Sequence, residues 1–282
     1  MMLKRRRFSK VCFFILALWI ALVMVMPFYW ALSLSFRMPK DSLAVTGLGI
    51  PFLHFEPTIE NWRHELRTSE TQQALVNSLV IAIGTAIAVT VLGTPAAYAL
   101  ARFRFRRPKN EDISFWFLSQ RVLPPIATAL PFYILIVKMG LHDTRLALIM
   151  LNTTFNLPFV IVIMRQAFLE LPIELEEAAL VDGASHLGVF LQISLRLAAP
   201  SLAASILIVI AFTWNEFLFG LLIGDVNARV VPVHMAAAVG TRGPEYWYIA
   251  PRSLIAILPP VVLALLAQRY IVRGLTLGAV KG

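Results

Sequence analysis

Cysteine is almost missing from the 282 residues: Cys12 stands alone, so no disulfide can form within the chain. Charge is also scarce, at 15% of residues against 59% hydrophobic. A water-soluble domain of this length needs more charge than that to cover its surface. No G-x-x-x-x-G-K-[ST] phosphate loop occurs, which excludes a P-loop ATPase. No G-x-S-x-G elbow occurs either. His54, His64, His142, His186 and His234 have no metal-ligand spacing. Neither a metal site nor a resident cofactor is therefore expected. The formal net charge of +9 would suit nucleic acid in a soluble protein. Here the basic residues flank apolar runs, where they orient helices in a bilayer, so nucleic-acid binding is rejected.

What is present is apolar sequence in long runs, with a mean hydropathy of +0.75. Six segments reach the ~20 residues that a membrane-crossing helix needs. They lie at about 11–36, 73–101, 113–137, 146–168, 201–223 and 251–272. The expected fold is all-α, a single integral membrane domain spanning 1–282, with core helices over about 73–272. The first segment follows Lys4, Arg5, Arg6, Arg7 and Lys10 but is too long for a cleaved signal and lacks a cleavage site, so it reads as a retained helix. The third holds Gln120, Arg121, Pro124, Pro125 and Pro131 and is expected to be broken and shielded from lipid. With the N-terminus inside, inner segments hold 15 Lys and Arg and outer segments 9. That bias places both termini in the cytoplasm.

The inner loop at 170–200 is different. It carries Glu170, Glu174, Glu176, Glu177 and Asp182 against a single Arg196. Pro172 suits a first helical turn, Asp182-Gly183 a stop, and Ser185 the cap of a second short helix. Two helices joined at a glycine bend are expected at the membrane surface, as an ordinary hairpin or as a docking element. Small residues at Ala82, Gly84, Ala86, Ala88, Gly93, Ala96 and Ala97 prepare the second span for close packing, within the chain or against a partner subunit. Polar residues inside or near spans are Asn77, Gln120, Arg121, Asn152, Asn156, Asn215 and Glu216. Arg121, Asn152, Asn156, Asn215 and Glu216 are candidates to line a solute path, or to fix helix packing. Arg121 needs a charged partner, with Glu216 the candidate within the chain. Trp214 suits stacking on a sugar ring or plain packing.

Glu177-Ala178-Ala179, Gly183 after three residues and Ile193 after nine more match the EAA motif, in an inner loop between the fourth and fifth spans. The chain thereby resembles the permease subunits of binding-protein-dependent ABC importers. A-Y-A-L-A-R-F at 97–103, L-P-P at 123–125, N-L-P-F at 156–159, W-N-E-F at 214–217, R-G-L-T at 273–276 and A-V-K-G at 279–282 are similar to the MalG-like carbohydrate branch. One departure is Arg196, where the family usually has proline.

The resemblance implies a MetI-like permease fold in the inner membrane. Its partners would be a second permease, two ATPase subunits that bind ATP and magnesium, and an extracytoplasmic solute-binding protein. A sugar or polyol would be the solute. Glu177, Ala178, Ala179, Asp182, Gly183, Ala184 and Leu187 would form the coupling helix that meets the ATPase. Gly240, Thr241, Arg242, Gly243, Pro244 and Glu245 would contact the binding protein. Two other classes stay open on the residues alone: a self-sufficient carrier or channel, and a membrane enzyme. The absence of an inverted repeat and of a catalytic constellation weighs against both.

Overall fold

A bilayer offers no hydrogen bonds to the backbone, so each apolar run must satisfy its own N–H and C=O groups by coiling. The computed structural model describes residues 2–45, 47–120, 122–237, 239–240 and 243–276, and it is helical nearly throughout. Four helices are long and apolar enough to cross a membrane, and the count rises to six if each of two bent pairs is one span. The single helices are α1 (Met2–Ser35), α4 (Ser69–Arg102), α7 (Arg145–Leu169) and α14 (Tyr246–Thr276). One bent pair is α5 (Asn110–Gln120) with α6 (Pro125–Lys138), whose axes differ by 90° across the prolines. The sequence expectation of a broken third span is met. The other pair joins the helical run His186–Leu197 to α11 (Ala199–Trp214) with a 76° bend.

The fifth span is not the continuous run expected at 201–223. α11 stops at Trp214, and α12 (Leu218–Ile223) starts after a break. Asn215 turns its amide back onto the Ala211 carbonyl, 2.8 Å away. The Glu216 carboxylate accepts the free N–H groups of Phe219 and Gly220 at 3.0 and 3.1 Å. A side chain that satisfies the orphan donors of a helix start makes the break stable inside a span. The sixth helix also begins earlier than expected, so Tyr246, Trp247 and Tyr248 form its first turn rather than a loop.

Contacts divide the chain into two compact units. The first comprises Met1–Gln72 and Met235–Ile257. Its polar framework follows α1 and includes α2 (Pro39–Ala44) and α3 (Glu60–Arg67). Arg37, just beyond the end of α1, is 1% exposed. Its guanidinium donates to the carbonyls of Val45, Gly47 and Leu48 and to Ser33 Oγ. Gly49 is required beside it, because an added Cβ would fall on the guanidinium. Asn61 donates to the carbonyls of Ser35 and Arg37, closing the end of α1. Glu65, fully buried, is bridged by Arg252 of α14 at 2.6 Å and accepts the Thr71 hydroxyl at 2.5 Å. Among the described residues, strand is confined to β1 (Val239–Gly240) and β2 (Gly243–Pro244), paired antiparallel.

The second unit comprises Gln73–His234 and Leu258–Gly282. Lipid tails are as apolar as leucine, so helices here associate through close fit rather than through exclusion of water. Gly84 and Gly93 supply that fit: a Cβ on Gly84 would lie 2.7 Å from Ile149, and one on Gly93 3.1 Å from Val160, both on α7. Ala82, Ala86 and Ala97 are buried alongside. The small face of α4 thus packs within the chain. Below it Val89, Ala97 and Tyr98 join Val160, Ile161, Met164 and Phe168 in a core that also holds Phe190.

Candidate functional site

Two features of the second unit hold the residues that the sequence singled out. The first is the hairpin at 170–200. α8 (Glu174–Val181) opens with Glu174, Glu176 and Glu177 in its first turn, where negative charge offsets the helix dipole. It ends in a Schellman closure: Gly183 N–H donates to Leu180 O at 3.0 Å and Ala184 N–H to Ala179 O at 2.9 Å. That closure puts Gly183 at φ +89°, with open space around its missing Cβ. Ser185 then caps α9 (His186–Val189) by accepting Gly188 N–H at 3.1 Å. A π-helical turn at Phe190–Ser194 and α10 (Leu195–Leu197) complete the return.

Every sequence-predicted residue of this loop lies on the hairpin. Glu177, Ala178, Asp182, Gly183, Ala184 and Leu187 are exposed and Ala179 is half-buried. Val181 and Leu187, at 87% and 65% exposure, leave two bulky apolar side chains bare beside that acidic surface. Arg196 is exposed on the return.

Glu176, one residue before the motif, was not singled out and is the best-bonded carboxylate of the loop. It is buried and shares a face of α8 with the half-buried Ala179 and Leu180. Its Oε1 accepts from Arg102 Nε at 3.0 Å, Arg102 Nη2 at 2.8 Å and Ser194 Oγ at 2.8 Å. Its Oε2 accepts from Tyr98 at 2.8 Å. Burial raises its pKa, but the bonds from Arg102, Tyr98 and Ser194 lower it by more, leaving it below the ordinary carboxylate value. Tyr98 and Arg102 sit on the last turns of α4, and Ser194 ends the π turn. Only the acid on the inward face of a short helix was legible; its partners Tyr98 and Arg102 lie 78 and 74 residues away in the chain.

The second feature is a cleft of about 290 Å³, lined by Gln120, Asn152, Asn156 and Glu216 with Phe155, Phe212 and Phe219. Phe132 packs against Phe155 and Phe219 of that lining, in edge-on and tilted ring pairs with centroids 5.0–6.2 Å apart. Asn152 and Asn156 each donate to the carbonyl four residues back on α7, at 2.9 Å. Amide, carboxylate and aromatic groups around one cavity suit a neutral hydroxylated molecule, by hydrogen bonds at its edge and ring contact at its face. The structure brings Asn152, Asn156 and Glu216 together here. Arg121 lies outside the described residues. Trp214 is buried in packing.

A third cluster was missed by the sequence reading. Asp143, at φ +56°, accepts the backbone N–H groups of Asp225, Val226, Asn227 and Ala228 at 2.8–3.2 Å. Asn77 donates to the carbonyls of Asn227 and Arg229, both at 2.8 Å, and accepts Arg145 Nε at 2.7 Å. Burial raises the Asp143 pKa, while the bonds from Asn227, Ala228 and Asp225 lower it by more. Of the remaining predicted residues, Gly240 pairs with Gly243 and Pro244 with Val239, Glu245 is exposed, and Thr241 and Arg242 lie outside the described residues.

The chain is 34% identical to the trehalose/maltose transport system permease protein MalG of Thermococcus litoralis, over 97% of this chain and 98% of that protein. Its fold matches that of a bacterial ABC transporter involved in the import of the acidic polysaccharide alginate, with a TM-score of 0.77, 20% identity and coverage of 94% and 96% of the two chains. It also matches the MetNI methionine ABC transporter in an inward-facing form, with a TM-score of 0.55, 18% identity and coverage of 71% and 94%. Residues 90–277, which include the bent pairs, the hairpin and the cleft, match the model of one family. The chain belongs to the binding-protein-dependent transport system inner membrane components.

Proposed function

We propose that this chain forms one half of the translocation path of an ATP-driven importer for a sugar or sugar alcohol, and that its hairpin couples the path to ATP hydrolysis. As a permease component of this family it works with a second permease, a pair of ATPase subunits and a solute-binding protein, and the ATP and magnesium reside in the ATPase. The sugar assignment rests on the trehalose/maltose relative and on the amide-and-aromatic lining of the cleft.

The observation that carries the coupling role is the hairpin itself. Glu177, Asp182, Val181 and Leu187 stand bare on one element, while Glu176 bolts that element to the end of α4. A docking helix needs both properties: a free surface to be gripped and a rigid mount through which movement passes. Glu177 accepts charge-assisted bonds from a cation in the ATPase cleft. With both termini and the 170–200 loop in the cytoplasm, as the basic bias implies, ATPase closure moves α4 as a rigid body and opens the path to alternate sides. Gly240 to Glu245 meets the loaded binding protein. Asn152, Asn156, Asn215 and Glu216 border the solute.

Reconstitution tests this. Proteoliposomes holding both permeases, the ATPase and the binding protein should accumulate a labelled sugar or polyol only with ATP. Flux through the chain alone would replace the reading with a self-sufficient carrier.

A further inference from the structure

We propose that the loop between α4 and α5, with the cleft beside it, is a binding site for an anionic diacyl phospholipid. The loop reads F-R-F-R-R-P-K at 103–109 and contains no acid. Arg104, Arg106, Arg107 and Lys109 are all exposed, and none forms an ion pair among the described residues. Seven residues join the ends of two apolar helices, so the four cations are held at headgroup level. Phe103 and Phe105 alternate with them and are each 44% exposed.

The loop is preorganised. The Asn110 amide donates to the carbonyls of Leu100 and Phe103 at 2.8 and 2.7 Å, and its oxygen accepts Phe105 N–H at 2.9 Å. Asp112 accepts Lys109 N–H at 3.1 Å. Arg106 and Lys109 bridge through their backbones. The backbone of the loop is thus ordered before a ligand arrives, which strengthens binding.

Charge alone would suit any anion. The neighbouring cleft narrows the choice. About 400 Å³ opens between Pro108, Asp112, Ile113 and Trp116, with Trp116 itself 57% exposed. Three of those residues are apolar. A tryptophan-lined cleft next to a cation cluster accommodates an acyl chain and an anionic headgroup at once. A free phosphate or nucleotide would use only the cations, and a zwitterionic lipid only the cleft. The assignment is independent of which solute the importer carries.

The test uses the purified complete importer in detergent and a fluorescent phosphatidylglycerol. Phosphatidylglycerol should displace the probe, while phosphatidylcholine and inorganic phosphate should not. Changing Arg104, Arg106, Arg107 and Lys109 together to glutamine should weaken binding by more than about a hundredfold, at about fivefold per charge near a membrane surface. Trp116→Ala, which keeps every cation, should weaken it several-fold, and it supports or refutes the site even if the charge variant fails to fold. ATPase retention should stay unchanged in both. Equal displacement by phosphatidylcholine, displacement by phosphate alone, or loss of ATPase with unaltered lipid affinity would each overturn the proposal.

Discussion

Among the described residues the molecule buries two arginine–glutamate pairs, Arg252–Glu65 at 2.6 Å in the first unit and Arg102–Glu176 at 2.8 Å in the second. Their chemistry is alike: a forked guanidinium on one carboxylate, with a hydroxyl from Thr71 or Tyr98 as a further donor. Their attachments differ. Glu65 ties the short helix α3 to α14, and the residue next to it, His64, is itself stacked on Tyr248 at 4.3 Å. Glu176 ties α4 to a hairpin whose neighbouring side chains stand bare. A buried pair that joins packed elements acts on stability. The same pair beneath a bare docking surface also sets where that surface is held.

The largest effects should come from breaking the two pairs. Glu176→Ala and Glu65→Ala each leave a buried guanidinium without its counterion, a loss of about 3–5 kcal/mol. Both should lower the midpoint of thermal unfolding in detergent. Only Glu176→Ala should also reduce ATPase retention in the molecules that remain folded. Equal retention in both variants would erase the distinction.

Next comes the bend. Gly183→Val puts a β-branched residue at φ +89°, where an added Cβ meets open space, so the expected penalty is backbone strain, about 1–2 kcal/mol. Gly183→Asn should lose less, because asparagine tolerates that region. Copurification of the ATPase across glycine, asparagine and valine should fall in that order. Gly183→Ala, smaller than asparagine but less tolerant of positive φ, should lose more than Gly183→Asn, whereas a clash-driven effect would reverse that pair.

Acid sharpens the comparison further. Glu176 and Asp143 both have depressed pKa values in the folded protein. Their contributions are therefore complete above the unfolded carboxylate values near about 4 and are lost as pH falls through the folded ones. Unfolding midpoints measured from pH 7 downward should decline below about pH 4, and Glu176→Gln should flatten part of that decline. The smallest effect is Ser185→Ala, which removes the cap of α9 for about 1 kcal/mol. Uptake should persist, with slightly lower thermal stability.

Much of this was legible in the residues. Long apolar runs, the proline break near Pro124 and the glycine bend at Gly183 depend on local rules, and the structure follows them. The interruption at Asn215–Phe217 escaped because hydropathy cannot separate a span from two helices capped by a carboxylate. Arg37, Glu176 and Asp143 escaped for a related reason. Glu176 and Asp143 act on groups far along the chain, such as Arg102 on Glu176 across 74 residues, and Arg37 acts on loop carbonyls; periodicity carries no record of either kind of pairing. The cleft was half legible: polarity marked Asn152, Asn156 and Glu216, but the aromatic backing from Phe155 and Phe219 read only as bulk.

The segment from Asp225 to Ala228 is gripped by its peptide groups, by the Asp143 carboxylate on one side and the amides of Gln73 and Asn77 on the other. A path fixed in that way is indifferent to most of the side chains it carries. The shape is encoded elsewhere, at positions 73, 77 and 143. Asp225 and Val226, both exposed, are thereby free to drift, and a new surface chemistry can be tried there without redesigning the scaffold beneath it.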